Sequence, residues 1–183
     1  MSLTTPKGAP VATPALYAQR RAHLARLLGP KGIAIIPTAP EQQRNRDADF
    51  LYRHDSYFYY LSGFTEPKAC LVITGDGRTT LFCQPKDLER ETWDGYRLGP
   101  VDAPARLGVD AAVSTTELDA QMPALLDGRD AVWYPFATHK ALAARIDGWL
   151  GQVGPRALRH AVPRAAARLV RPARRDATGQ GRP

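Results

Sequence analysis

The sequence predicts an α/β fold: a single layered domain with a mixed β-sheet flanked by helices, and disordered ends. Three observations carry this. Short apolar runs alternate with stretches of helical periodicity between residues 13 and 154, the pattern that builds parallel strands through crossovers. A turn signal, Gly75-Asp-Gly-Arg78, separates two β-prone runs and places an antiparallel hairpin in the middle. A length of 183 residues with a 44% hydrophobic share is enough for one sizeable core.

The elements follow in order. Residues 1–12 are small, polar and Pro-containing and read as a disordered segment. Thr13-Pro14 reads as a cap with proline at the first helical position. Tyr17, Leu24, Leu27 and Leu28 share one helical stripe, and Gly29-Pro30 ends it. Gly32 to Pro37 is a short apolar run, read as a buried strand. The hairpin pairs Ala69–Thr74 with Thr79–Cys83, and a four-residue loop would set Thr74 opposite Thr79 and Cys70 opposite Cys83. Pro104 to Leu107 suggests a helical turn, and Ala111 to Ser114 a weak strand. Thr116 caps a helix with Leu118, Met122, Leu125 and Leu126 on one face, which stops at Asp127-Gly128. Ala131 to Phe136 reads as a strand. Thr138 caps a last helix that turns Leu142, Ile146, Trp149 and Leu150 inward.

The formal charge of +7 invites a nucleic-acid reading, but its distribution removes it. Residues 1–155 hold 17 Lys+Arg and 17 Asp+Glu, whereas residues 156–183 hold eight Arg and one Asp. The folded part therefore has no basic footprint, and a nucleic-acid partner is not expected. An Arg-rich tail that binds phosphates is the weakest alternative. No apolar run is long enough to span a membrane, the start does not read as a secretory signal, and two cysteines make no disulfide framework. A cytoplasmic chain is expected.

Local motifs for chemistry are sparse. There is no Walker loop, Gly-x-Gly-x-x-Gly, Gly-x-Ser-x-Gly or His-Glu-x-x-His. His23, His54, His139 and His160 lie far apart, and none has a ligand partner one helical turn away. Cys70 and Cys83 could form a reactive pair or metal site, but two buried thiols is the simpler reading. Asp47 with Asp49, and Glu89 with Glu91, could act as carboxylate pairs, but solvated charged loops explain them equally well. The densest stretch is Arg44 to Pro67. Five of the chain's seven tyrosines lie in it or close by (Tyr52, Tyr57, Tyr59, Tyr60 and Tyr96), and Tyr57 to Tyr60 read as packing between loop and hairpin.

Two stretches then carry a family resemblance. Tyr52-Arg-His-Asp-Ser-Tyr-Phe-Tyr-Tyr-Leu-Ser-Gly-Phe-Thr-Glu-Pro67 resembles the signature Tyr-Arg-x-x-Ser-x-Phe-x-Tyr-Leu-(Ser/Thr)-Gly-Phe-x-Glu-Pro of the N-terminal domain of aminopeptidase P, the Xaa-Pro aminopeptidases of the creatinase/prolidase superfamily. Arg90-Glu-Thr-Trp-Asp-Gly-Tyr-Arg-Leu-Gly-Pro100 is similar to its second signature, Glu-x-Trp-x-Gly-x-Arg-Leu-Gly. The resemblance covers the chain from about Leu16 to Gly154. It implies a creatinase N-terminal-like fold over 13–154, in enzymes that release the first residue of peptides with proline in second position. It also implies that the chemistry lies in a separate pita-bread domain. There two Asp, one His and two Glu hold a pair of divalent ions, typically manganese. None of those five ligands maps onto this chain, so no metal, cofactor or catalytic residue is expected within it. The resemblance further implies homo-oligomers and a supporting role in which Asp47 lies near the amino end of the substrate and Trp93 forms a wall. The competing expectation is a non-enzymatic interaction or oligomerisation module that docks through residues 44–67 and 89–99.

Residues 155–183 depart from the family, whose linker contains a run like Glu-Met-Arg-Leu-Val-Lys-Asp. One coding of Arg175 to Pro183, read one base later, gives Glu-Met-Arg-Leu-Val-Lys-Asp-Ala. The expectation is that a frameshift replaced the linker with an out-of-frame, Arg-rich remnant and removed the catalytic domain. By itself, the chain is expected to be inactive.

Overall fold

A computed structural model describes residues 13–136 and 139–153. The expectations for residues 1–12, for the Arg-rich end and for Thr138 as a cap lie outside the described residues. The elements run α1 (Pro14–Leu28), β1 (Gly32–Pro37), α2 (Ser56–Ser62), β2 (Cys70–Thr74), β3 (Thr79–Cys83), α3 (Leu88–Asp94), α4 (Gly99–Leu107), β4 (Ala111–Ser114), a 3-10 turn (Thr115–Glu117), α5 (Leu118–Leu126), β5 (Ala131–Trp133) and α6 (Lys140–Gln152). The sheet order is β4-β3-β2-β1-β5. The β1–β2 and β2–β3 pairs are antiparallel, while β1–β5 and β3–β4 are parallel, so the mixed sheet predicted from sequence is present.

Strands β1, β2 and β3 are buried almost throughout because both faces of the sheet are covered. Their residues alternate between two apolar layers. Ala34, Ile36, Leu71, Ile73, Leu81 and Cys83 meet the layer that includes Leu28 of α1, Phe58 and Leu61 of α2, and Ala103 of α4. Ile33, Ile35, Cys70, Val72 and Phe82 meet Leu118, Met122 and Leu126 of α5 and Leu142, Ile146 and Trp149 of α6. The result is a helix–sheet–helix sandwich. The crossover from β3 to β4 through α3 and α4 makes one parallel pair, and α5 then carries the chain from β4 to the opposite edge, where β5 lies parallel to β1.

Several expectations are corrected. The hairpin loop is tighter than its sequence suggests. Thr74 N–H bonds to Arg78 O at 3.0 Å and Gly77 N–H to Thr74 O at 2.8 Å, with Gly77 at φ 92. This is a three-residue loop whose left-handed position suits glycine. It moves the register by one, so Ile73 faces Thr79 and Cys70 faces Phe82. The two cysteines consequently lie on opposite faces of the sheet and form no pair. Both are free and buried, and burial pushes each thiol up to about 12. In α1 the buried stripe is Tyr17, Arg21, Ala25 and Leu28, and Leu27 is exposed. Ser114, not Thr116, caps the turn before α5, and its hydroxyl accepts from Thr116 N–H at 3.3 Å. Strand β5 stops at Trp133.

Candidate functional site

The stretch after β1 forms an exposed ribbon. Phe50 N–H bonds to Gln42 O at 2.9 Å and Arg44 N–H to Ala48 O at 2.9 Å, and Gln43 bridges Asp49. Asp47 lies at the tip, where its N–H bonds to Asn45 Oδ1 at 3.0 Å. Among the described residues no donor reaches the Asp47 carboxylate, so it faces solvent. The base of the ribbon is pinned to the end of β1. The Tyr52 and Thr38 hydroxyls are 2.7 Å apart, and Tyr52 Oη donates to Ala39 O at 3.3 Å. Leu51 between tip and base is 98% exposed.

Asp55 then starts α2. Its Oδ1 accepts from Tyr57 N–H at 2.8 Å and Phe58 N–H at 2.9 Å, the capping that a short helix needs. Gly63 closes it at φ 67, and a Cβ there would sit 2.5 Å from the Tyr17 ring. The tyrosines read from sequence as packing behave otherwise. Phe58 is fully buried, while Tyr57, Tyr59 and Tyr60 are exposed, because the helical turn brings only Phe58, Leu61 and Ser62 to the core. Tyr60 lies under Arg20 at 4.0 Å, and His54 stacks on Tyr59 at 4.4 Å.

Trp93 sits near the end of α3 and is 88% exposed. No described side chain of α3 is buried. The helix is held by polar contacts at its ends: Asp87 Oδ1 accepts from Arg90 N–H at 3.1 Å, and Glu91 Oε1 accepts from Arg97 N–H at 3.2 Å. Lys86 Nζ reaches Glu91 Oε1 at 3.4 Å and Arg97 O at 3.3 Å, and lies over the Tyr96 ring at 4.4 Å.

The two family-like signatures meet at one junction that sequence reasoning did not single out. Glu66 Oε1 accepts the Leu98 N–H at 2.8 Å, and Glu66 Oε2 is buried without a hydrogen-bond partner among the described residues. Burial pushes the Glu66 carboxyl above the ordinary glutamate range. The Leu98 N–H, Arg97 and Lys86 pull the other way, and Glu91 adds to the rise. An open cavity of about 730 Å³ beside it is lined by Phe64, Tyr96, Leu98, Asp102 and Arg106 among others. The only hint in the sequence was that Glu66 and Leu98 each stand near the end of a signature.

Asp47 and Trp93 stand on different elements, and no described hydrogen bond, ion pair or ring contact joins them. Glu89 and Glu91 diverge, since Glu89 is exposed and Glu91 is turned to Lys86 and Arg97. Among the described residues no three His, Cys, Asp or Glu side chains converge as a metal site would require. A carboxylate at a ribbon tip and an indole on a surface helix can receive an ammonium and an apolar side chain.

These features define a class: an α/β domain whose doubly covered sheet carries an exposed ribbon and an exposed short helix. Residues 17–133 match the family described as Aminopeptidase P, N-terminal domain, and the chain belongs to that family. It is 39% identical over 122 residues to the Xaa-Pro aminopeptidase of Escherichia coli (strain K12), covering 64% of this chain and 28% of that one. It is 30% identical over 133 residues to Xaa-Pro aminopeptidase 3 of Homo sapiens, covering 64% and 26%. The fold matches Pseudomonas aeruginosa aminopeptidase PepP with a TM-score of 0.75 at 38% identity, over 81% of this chain and 34% of that one. It also matches a variant of Escherichia coli aminopeptidase P in complex with substrate, with a TM-score of 0.74 at 33% identity, over 77% and 33%. The chain thus spans about a quarter to a third of the proteins it resembles.

Proposed function

We infer that this domain is the non-catalytic N-terminal domain of an Xaa-Pro aminopeptidase, shaping the substrate site around chemistry that takes place on another domain. In the intact enzyme the reaction would be metal-assisted release of the first residue from peptides with proline second. The described side chains do not fit a two-metal cage, so manganese would be held by residues beyond this domain. Asp47 would lie near the amino end of the peptide, where a carboxylate suits an ammonium, and Trp93 would wall the site. The observation that carries this reading is Trp93 itself. An indole 88% exposed on a helix none of whose described side chains is buried is poorly used as packing and well placed as a contact surface. Assembly as a homo-oligomer and a cytoplasmic setting belong to the same proposal.

The test has two arms. The purified 183-residue chain, incubated with manganese and an Ala-Pro-Ala peptide, is expected to release no alanine; release would overturn the reading. In the second arm the domain replaces the N-terminal domain of the Escherichia coli enzyme. Trp93→Ala and Asp47→Asn are each expected to raise KM by about tenfold with kcat less affected. Wild-type kinetics in both variants would refute their placement.

A stand-alone interaction module is the second reading, favoured by the exposed Leu51, Leu88, Trp93 and Val101. Size measurement alone and with a full-length relative separates the two readings, and a monomer in both conditions counts against the module. Nucleic-acid binding through residues 156–183 ranks last. It requires binding that is lost on deleting them and that weakens steeply with salt.

A further inference from the structure

Trp93 rides on a helix none of whose described side chains reaches the core. Helix α3 has seven residues, and none of its described side chains is buried. A helix this short does not persist in water without help. Its position therefore depends on where its two ends are fixed. The leading end is held by the Asp87 cap and by Lys86. The trailing end runs through Gly95, at φ 87, to Arg97 and Leu98, where the chain becomes buried again.

What grips that trailing end is Glu66, 32 residues earlier in the chain. Glu66 follows the Gly63 cap of α2 and the buried Phe64, so its backbone leaves directly from the buried layer. Its Oε1 takes the Leu98 N–H at 2.8 Å. Its other oxygen is buried and meets no donor among the described residues, an arrangement that costs stability and that an apolar side chain would avoid. A carboxyl kept there at a cost points to the contact it makes. Glu91, two residues before Trp93, completes the hold by accepting the Arg97 N–H and the Lys86 ammonium.

We propose that Glu66 is a positioning residue: by clamping the backbone at Leu98 to the turn after α2, it sets the direction in which α3 presents Trp93. The importance of this to substrate rests on the role given to Trp93 above. The clamp itself does not, and its test reads no peptide chemistry.

The experiment uses the 183-residue chain and the variants Glu66→Gln, Glu66→Asp and Glu66→Ala. Amide exchange is followed at Leu98 and along α3, with the β2 and β3 amides as internal reference. The anisotropy of Trp93 is isolated by subtracting a Trp93→Phe partner of each variant. Gln keeps an acceptor at the same reach, so exchange and anisotropy are expected to stay near wild type. Ala is expected to speed exchange at Leu98 and along α3 by about tenfold or more, with lower Trp93 anisotropy and unchanged protection in the strands. If Ala does not fold, Glu66→Asp, whose shorter side chain falls short of Leu98, is expected to show the same pattern. Unchanged exchange and anisotropy in a folded Ala variant, or in Asp where Ala does not fold, would overturn the clamp, as would loss of both in Gln. A kinetically silent Trp93→Ala in the fused enzyme would sink the substrate role while leaving these results to decide the clamp.

Discussion

Asp110 ties the start of β3 to the entry of β4 through a reciprocal set of bonds. Its Oδ2 accepts the Thr79 N–H at 2.7 Å and the Thr79 hydroxyl at 2.6 Å, and its own N–H donates to Thr79 O at 3.1 Å. The Thr79 hydroxyl bond, with help from the Thr79 N–H and Arg21, holds the Asp110 carboxyl below the ordinary range against the opposing effect of burial. The folded value is depressed, so the stabilisation is present above the unfolded pKa and is lost as pH falls through the folded one. Glu66 has the opposite sign. Its raised folded value means that its contribution is fully present below the unfolded pKa and is lost as pH rises through the folded one. Two substitutions should therefore show opposite trends in urea unfolding. Asp110→Asn is expected to cost about 1 kcal/mol at neutral pH, allowing for solvent screening, and to approach wild type in acid. Glu66→Gln is expected to match wild type in acid and to gain on it as pH rises towards neutrality. Parallel pH curves for either variant and wild type would refute its assignment. The cysteines show what sequence cannot supply at this scale. Where a strand is buried on both faces, apolar alternation does not say which face is which, and a one-residue change of loop carries Cys83 to the far side of the sheet from Cys70.

At the level of elements, the caps and turn residues in the sequence were informative, and the contacts between distant segments were not. Helix α1 was legible from Thr13-Pro14 and Gly29, but its stripe was misjudged because an arginine occupies a buried position. Arg21 is 2% exposed, and its guanidinium donates to Leu61 O at 3.0 Å, Leu107 O at 3.2 Å and Gly108 O. It staples α1 to the ends of α2 and α4, and three carbonyls at helix C-termini are what a planar cation with five donors can satisfy together. Arg21→Ala leaves those oxygens without that donor and opens a space. A loss of about 3 kcal/mol or more is expected in chemical denaturation, and a loss below about 1 kcal/mol would mean that water replaces the guanidinium at little cost. Helix α2 is not legible from the sequence although Asp55 and Gly63 stand at its ends, since a run of aromatic residues carries no strong helical preference. Helix α3 was out of reach of pattern reasoning altogether. It has no apolar face, and its anchors come from Lys86, Arg97 and the Glu66–Leu98 contact.

For the whole molecule, the alternation of strand residues makes the central sheet common property of two apolar layers. Ile33 and Ile35 point one way and Ala34 and Ile36 the other, and the same holds for Val72 against Leu71 and for Phe82 against Leu81. Neither layer can be lost without exposing the far side of strands that the other layer still needs. The fold class was readable for this reason: continuous apolar runs, helices between them and one hairpin admit few other arrangements. The same geometry predicts cooperativity. Phe58, fully buried on one face, and Met122, fully buried on the other, lie in separate layers and share no cluster. Phe58→Ala and Met122→Ala are each expected to cost about 3–5 and 2–5 kcal/mol. Each should shift one common transition, with far-ultraviolet circular dichroism and Trp149 fluorescence moving together, although Trp149 belongs to the Met122 layer alone. If Phe58→Ala instead lowered the dichroism transition and left the Trp149 transition in place, the two layers would be separate folding units and the shared sheet would not couple them.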